Sequence, residues 1–97
     1  MLKLTLSASL FSLLPYTEQK TDAKINRTVT VDANSWEELV HRMRIDYPQL
    51  ADHVLTPNGL IKTGFLVAVN DDVAPRSERP DISGGDGVML FTQMAGG

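Results

Sequence analysis

The residue types able to do chemistry in this chain are few, and most of them lack the spacing that chemistry requires. His41 and His53 are its only histidines. With no cysteine in the chain and no metal-ligand spacing around them, they read as surface residues rather than as a base or a ligand pair. Asp71-Asp72 resembles part of a calcium loop, but the alternating ligands and closing glutamate are absent, so a turn is expected there. Gly84-Gly85-Asp86-Gly87 is glycine-rich but precedes a strand pattern. With no helix N-terminus behind it, it is read as a tight turn rather than a phosphate cradle. No Gly-x-Ser-x-Gly motif occurs and no nucleophile–base set is visible. The exception is the ending, Ala95-Gly96-Gly97. Glycine lacks Cβ, so Gly96 and Gly97 can lie extended in a channel too narrow for side chains. A Gly97 carboxylate is then the least hindered acyl group of the molecule, open to adenylation and to attack by sulfur or nitrogen. A frayed terminus, or the cut end of a longer chain, gives the same two residues, so the ending by itself leaves these alternatives open.

The elements that would position such a tip are legible. Leu2, Leu4 and Leu6 alternate with Lys3, Thr5 and Ser7, which predicts a strand with one buried face. The same alternation sets aside a signal peptide over the first residues, and the cytoplasm is the expected compartment. Ala8 to Lys24 reads as a loop with a short apolar plug, and Arg27–Val31 as a β-branched second strand. Ser35 and Glu38 form a capping box, with Glu37 and Glu38 in the first turn of a helix. Trp36, Leu39, Val40, Met43 and Tyr47 make its apolar stripe, while Arg42 and Arg44 read as a solvated face. Pro48 ends the helix, a short helical turn spans Gln49–Leu55, and Thr56-Pro57-Asn58-Gly59 turns the chain. Phe65–Val69 is the most apolar strand. It is expected at the centre of the sheet, parallel to the first strand and beside it, through a right-handed crossover. Asn70-Asp71-Asp72 turns into a brief strand near Val73, Pro75 to Ile82 forms a polar loop, and Val88–Thr92 is the last strand. One helix on one face of a mixed sheet is an α+β arrangement of two layers.

Composition excludes several functions. The 97 residues suit one domain. Nine basic against twelve acidic residues give a net charge of −3, which argues against a nucleic-acid partner. No apolar run approaches the ~20 residues that span a bilayer, so no membrane partner is expected. The absence of cysteine removes disulfide and thiolate chemistry.

The last third resembles the MoaD/ThiS-like sulfur-carrier family, whose fold is the ubiquitin-like β-grasp. The residues that carry the resemblance are Val67-Ala68-Val69-Asn70, Gly85-Asp86-Gly87-Val88, Leu90-Phe91 and Ala95-Gly96-Gly97. The first strand and the helix after Ser35 also fall where the family has them. The resemblance implies a mixed sheet of four to five strands with one main helix on one face. It implies a β-grasp domain over residues 1–92 and a flexible tail over 93–97. It further implies a protein substrate with no catalytic site and no bound cofactor. A ubiquitin-activating-type enzyme would use ATP and Mg to adenylate Gly97. A sulfur donor would convert the adenylate to a thiocarboxylate, and a biosynthetic enzyme would accept the sulfur. Ala95, Gly96 and Gly97 would thread into the partner's active site. Phe91 matches an aromatic position that packs on the partner in this family. Met89 and Met94 fit either that contact surface or rim packing. A protease joins the partners wherever a precursor extends past Gly97. Molybdopterin-type members carry two prolines before the tail, where this chain has Thr92 and Gln93. The resemblance therefore points to a dedicated carrier serving cysteine, a thio-metabolite or a cofactor pathway. The alternatives are a modifier joined to lysines through Gly97, the small subunit of molybdopterin synthase, and an interaction domain with an inert tail.

Overall fold

A computed structural model describes residues 1–15, 27–74 and 79–92. Strand β1 (Leu2–Leu6) leads into a short helix α1 (Ala8–Phe11), and β2 is Thr28–Val31. Helix α2 (Trp36–Asp46) is followed at once by α3 (Pro48–Val54). Strands β3 (Phe65–Val69), β4 (Asp72–Val73) and β5 (Gly87–Thr92) complete the described elements. The five strands form one sheet in the order β2-β1-β5-β3-β4. β1 and β5 run parallel and every other pairing is antiparallel.

This order corrects the expectation for Phe65–Val69. β3 is neither central nor beside β1; the central place, parallel to β1, belongs to β5. β3 pairs antiparallel with β5 on one side and with the two-residue β4 on the other. Its apolarity misleads because both of its faces are apolar, and only one of them meets the core. The turn after β3 fixes the outcome locally. Asn70 and Asp71 both have positive φ (50° and 74°) and join Val69 to its partner Asp72. Two left-handed residues in a two-residue loop make the turn that matches strand twist, so the chain must double back at the sheet edge.

The inward faces follow from register. Leu4 pairs with Val29 and Val88, and Leu90 with Leu6 and Val67, so these side chains share one side of the sheet. All six are buried there against the apolar stripe of α2 and against Leu50 and Val54 of α3. Ser35 caps α2 as its sequence requires, its side chain accepting from the Glu38 amide at 3.2 Å. Pro48 stops α2 but also opens α3 at its first position, where proline lacks only a hydrogen bond that the helix would not make. The expected loop after β1 proves helical over Ala8–Phe11, and its apolar plug is real: Leu10, Phe11 and Leu14 are buried. The remainder of that segment, up to Lys24, falls within residues 16–26, which lie outside the described residues, as do residues 75–78 of the polar loop. Beyond them, Arg79 ties the chain back onto α2 through Glu37 at 3.2 Å and the Asn58 carbonyl at 3.0 Å. The Glu37 carboxyl is held below its usual range, first by a backbone hydrogen bond and then by Arg79. Among the described residues, no helix is long and apolar enough to cross a membrane.

Candidate functional site

The candidate site is the end of β5 and the open face of the sheet around it. Side chains alternate along β5, so Met89 and Phe91 point away from the helices while Val88 and Leu90 point in. Register then assembles the open face. Met89 lies between Thr5 on β1 and Ala68 on β3, and Ala68 in turn faces Val73 on β4. Phe91 pairs with Leu66. Met89 and Val73 are 42% and 59% exposed, and Leu66 and Phe91 are half-buried. The result is an apolar patch with no helix over it among the described residues. The sequence placed Phe91 and Met89 on one face, as found. It gave no sign of Leu66 and Val73, because they join the patch only through the pairing order of β3 and β4.

Thr92, the last described residue, pairs with Phe65 at the start of β3. The described part of β5 therefore ends beside Phe65, at the edge of the apolar patch. His53 is exposed, as its sequence context suggests, but it is not isolated. Its ring packs edge-on against Phe65, with centroids 5.3 Å apart. Helix α3 thus reaches the end of β5 at Thr92, a placement that sequence spacing does not reveal. His41 is exposed on α2 and belongs to neither feature. Met94, Ala95, Gly96 and Gly97 lie outside the described residues. No group of three or more metal-ligating side chains occurs among the described residues.

At the opposite end of β5 the two internal motifs meet. The Asn70 amide donates to the Gly87 carbonyl at 2.8 Å, and the Gly87 amide donates to Asn70 Oδ1 at 2.9 Å. Asp86 closes the turn before β5: its carboxylate accepts from the Ser83 amide at 2.9 Å, and its carbonyl from the Lys3 amide at 3.0 Å. Gly85 has φ +92°, a conformation that side chains resist. These motif residues set the register that delivers β5 to the patch, so their role is structural. Asn70→Ala should cost about 1–2 kcal/mol, combining left-handed strain with a lost hydrogen bond. Asn70→Gly should recover the backbone part, and urea unfolding midpoints would separate the two.

The ThiS family model matches residues 16–97. No curated protein matches the chain. Among solved structures, SAMP1 from Haloferax volcanii aligns with a TM-score of 0.66 at 22% identity, covering 99% of this chain and 98% of its own. CysO from Mycobacterium tuberculosis aligns with a TM-score of 0.73 at 14% identity, covering 97% and 100%. The Amycolatopsis orientalis BexX/CysO complex contains a chain that aligns with a TM-score of 0.73 at 13% identity, covering 100% of both chains. The architecture shared with these neighbours is the ubiquitin-like β-grasp.

Proposed function

The chain belongs to the ThiS family, and from that premise we propose that it is a sulfur carrier whose working group is the carboxylate of Gly97. The observation that most supports this reading is the family match itself, which runs through Gly96 and Gly97. The described geometry is consistent with it, since β5 leads out of the sheet beside an uncovered apolar patch. In the proposed cycle the Gly97 carboxylate attacks the α-phosphorus of ATP inside an adenylating enzyme, and pyrophosphate leaves. A hydrosulfide equivalent from a sulfur donor attacks the acyl carbon, AMP leaves, and a thiocarboxylate remains. That sulfur then attacks an activated substrate in a biosynthetic enzyme. The chain itself supplies no catalytic group. It supplies a narrow tip, Ala95-Gly96-Gly97 at the end of a 93–97 tail, and a surface that docks. Because activation consumes ATP, the proposed compartment is the cytoplasm.

Phe91 and Met89 form the centre of the proposed docking surface, with Met94 assigned to its tail side. A half-buried aromatic beside a threading tail has the character of a binding hot spot. Phe91→Ala should weaken binding to the adenylating enzyme by about 2 kcal/mol, roughly 30-fold. Titration calorimetry would measure this, with circular dichroism confirming the fold. The co-crystallisation of CysO with BexX shows that a chain of this fold forms a complex with a partner protein.

The test of the function is the intact mass of the chain after coexpression with its adenylating enzyme and a sulfur donor. Replacement of one oxygen by sulfur, trapped by iodoacetamide, supports the carrier. Attachment to lysine begins from the same adenylate, and SAMP1 is a small archaeal modifier protein of the same fold. Adducts of higher mass on lysines, without a thiocarboxylate, would support that second reading.

A further inference from the structure

A surface cleft of about 590 Å³ lies between the end of α2, helix α3 and the turn at 56–57. Its floor is apolar, with Pro48, Ala51, Leu55 and Pro57, and its rim carries Arg44 and Lys62. Among the described residues, neither cation faces a carboxylate within ion-pair distance. Arg44 Nη2 donates to the carbonyls of Thr56 and Pro57 at 3.0 and 3.2 Å. Lys62 Nζ donates to the carbonyl of Asp52 at 2.6 Å. A carbonyl orients a cation but leaves its charge uncompensated, and both groups keep further N–H donors. By contrast, Arg42 and Arg79 are paired with Asp46 and Glu37. Against these two charges the cleft lining has one carboxylate, Asp52, so it is locally positive on a chain of net charge −3. Its place in the fold is also specific. Lys62 stands three residues before Phe65, which opposes Thr92, and His53 of α3 packs on the same Phe65.

We infer that this cleft is a second docking point for the adenylating enzyme, filled by a segment of that enzyme that pairs an apolar side chain with a carboxylate. The inference rests on the carrier reading and adds the kind of surface the partner must bring. An apolar side chain would lie on Pro48 and Leu55 while the carboxylate takes the free donors of Arg44 and Lys62. A partner that holds the open face and the tail root is held on one side only. A grip on the α3 side would add a second point of attachment and so tighten the encounter without touching the chemistry at the tail.

The test is ATP–pyrophosphate exchange by the adenylating enzyme with the full chain as substrate. The Arg44→Met/Lys62→Met variant keeps the apolar stems and removes the charges. Its KM should rise about tenfold or more while kcat at saturation stays the same. The salt dependence of its KM should flatten. Arg42→Met, a charge removal on α2 outside the cleft lining and away from the open sheet face, should leave KM unchanged. The single variant Lys62→Met guards against loss of fold through Arg44 and should show part of the effect. Unchanged KM in the double variant, or an equal rise with Arg42→Met, would overturn the cleft and leave the carrier intact. Absence of any exchange with the unaltered chain would defeat the carrier reading, and the cleft proposal with it.

Discussion

Removal of Gly97 alone should abolish thiocarboxylate formation and leave the fold as stable as before. Among the described residues the buried core is assembled from side chains between Leu2 and Leu90, and a glycine has no side chain to add to such packing. The proposed reaction depends on that residue entirely. Adenylation requires the terminal carboxylate in line with the α-phosphate of ATP. One residue of extended chain is about 3.3–3.6 Å. Misplacing a reacting atom by as little as 1 Å can cost about 100-fold in rate, so the loss should be at least that large. The shortened chain should still bind the enzyme through Phe91 and Met89, because docking and chemistry use different parts of the molecule. It should therefore act as a competitive inhibitor of adenylation. Gly97→Ala separates reach from width: it preserves the length and adds one Cβ to the channel. The measurements are intact mass after coexpression, exchange kinetics, and thermal unfolding by circular dichroism. A shortened chain that still acquired sulfur would remove Gly97 from the mechanism. Pathway function that survived the loss of both glycines would leave an interaction domain with an inert tail.

Much of this arrangement was legible in the sequence because local rules and the fold agree. The alternation of Leu2, Leu4 and Leu6, the Ser35 cap, and the stripe from Trp36 to Tyr47 each follow from short-range chemistry, and the structure reproduces them. The turn at Asn70-Asp71 was legible for the same reason. The strand order was not. Which strand lies beside β1 is decided by pairing across the whole chain, and the apolarity of Phe65–Val69 argued for the wrong one. The reason is informative about function. Leu66 and Ala68 are apolar toward the open face, where they join Met89 and Phe91. A run that reads as a buried central strand is here a strand with one side in the core and the other in an uncovered patch. Arg44 and Lys62 illustrate the same limit. Eighteen positions apart, they have no shared signal in the sequence, and only the fold of α3 and the turn after it puts them on one rim. The proposed role of the glycine ending is of another kind, since its chemistry lies in the residue type rather than in any contact.

Trp36→Ala should be the most damaging single substitution in the core. Trp36 is the chain's only tryptophan and is 2% exposed. Its indole Nε1 donates to the carbonyl of Gly59 at 2.8 Å in a buried setting. Gly59 has φ +82° at the turn between α3 and β3, and a Cβ there would lie 3.6 Å from a Val40 methyl. The indole thus joins the first turn of α2 to the loop that leads into β3. Truncation to alanine leaves a cavity at about 3–5 kcal/mol and a buried carbonyl without its donor at about 1–3 kcal/mol more. A domain of this size has a total stability on the order of 5–15 kcal/mol, so the variant should be close to unfolded at room temperature. Trp36→Phe keeps most of the ring volume and removes the donor. It should cost about 2–3 kcal/mol and remain folded. Because the fluorophore is lost in both variants, the measurement is urea unfolding followed by circular dichroism. Equal losses for Phe and Ala would mean that the hydrogen bond to Gly59 dominates and that packing contributes little. The expected ordering, with alanine far worse, would show that the indole ring holds α2 against the turn. The same turn supplies the Thr56 and Pro57 carbonyls that orient Arg44. Trp36→Phe should therefore also raise the KM for adenylation modestly if the cleft at Arg44 is used, although residue 36 is itself buried and touches no partner.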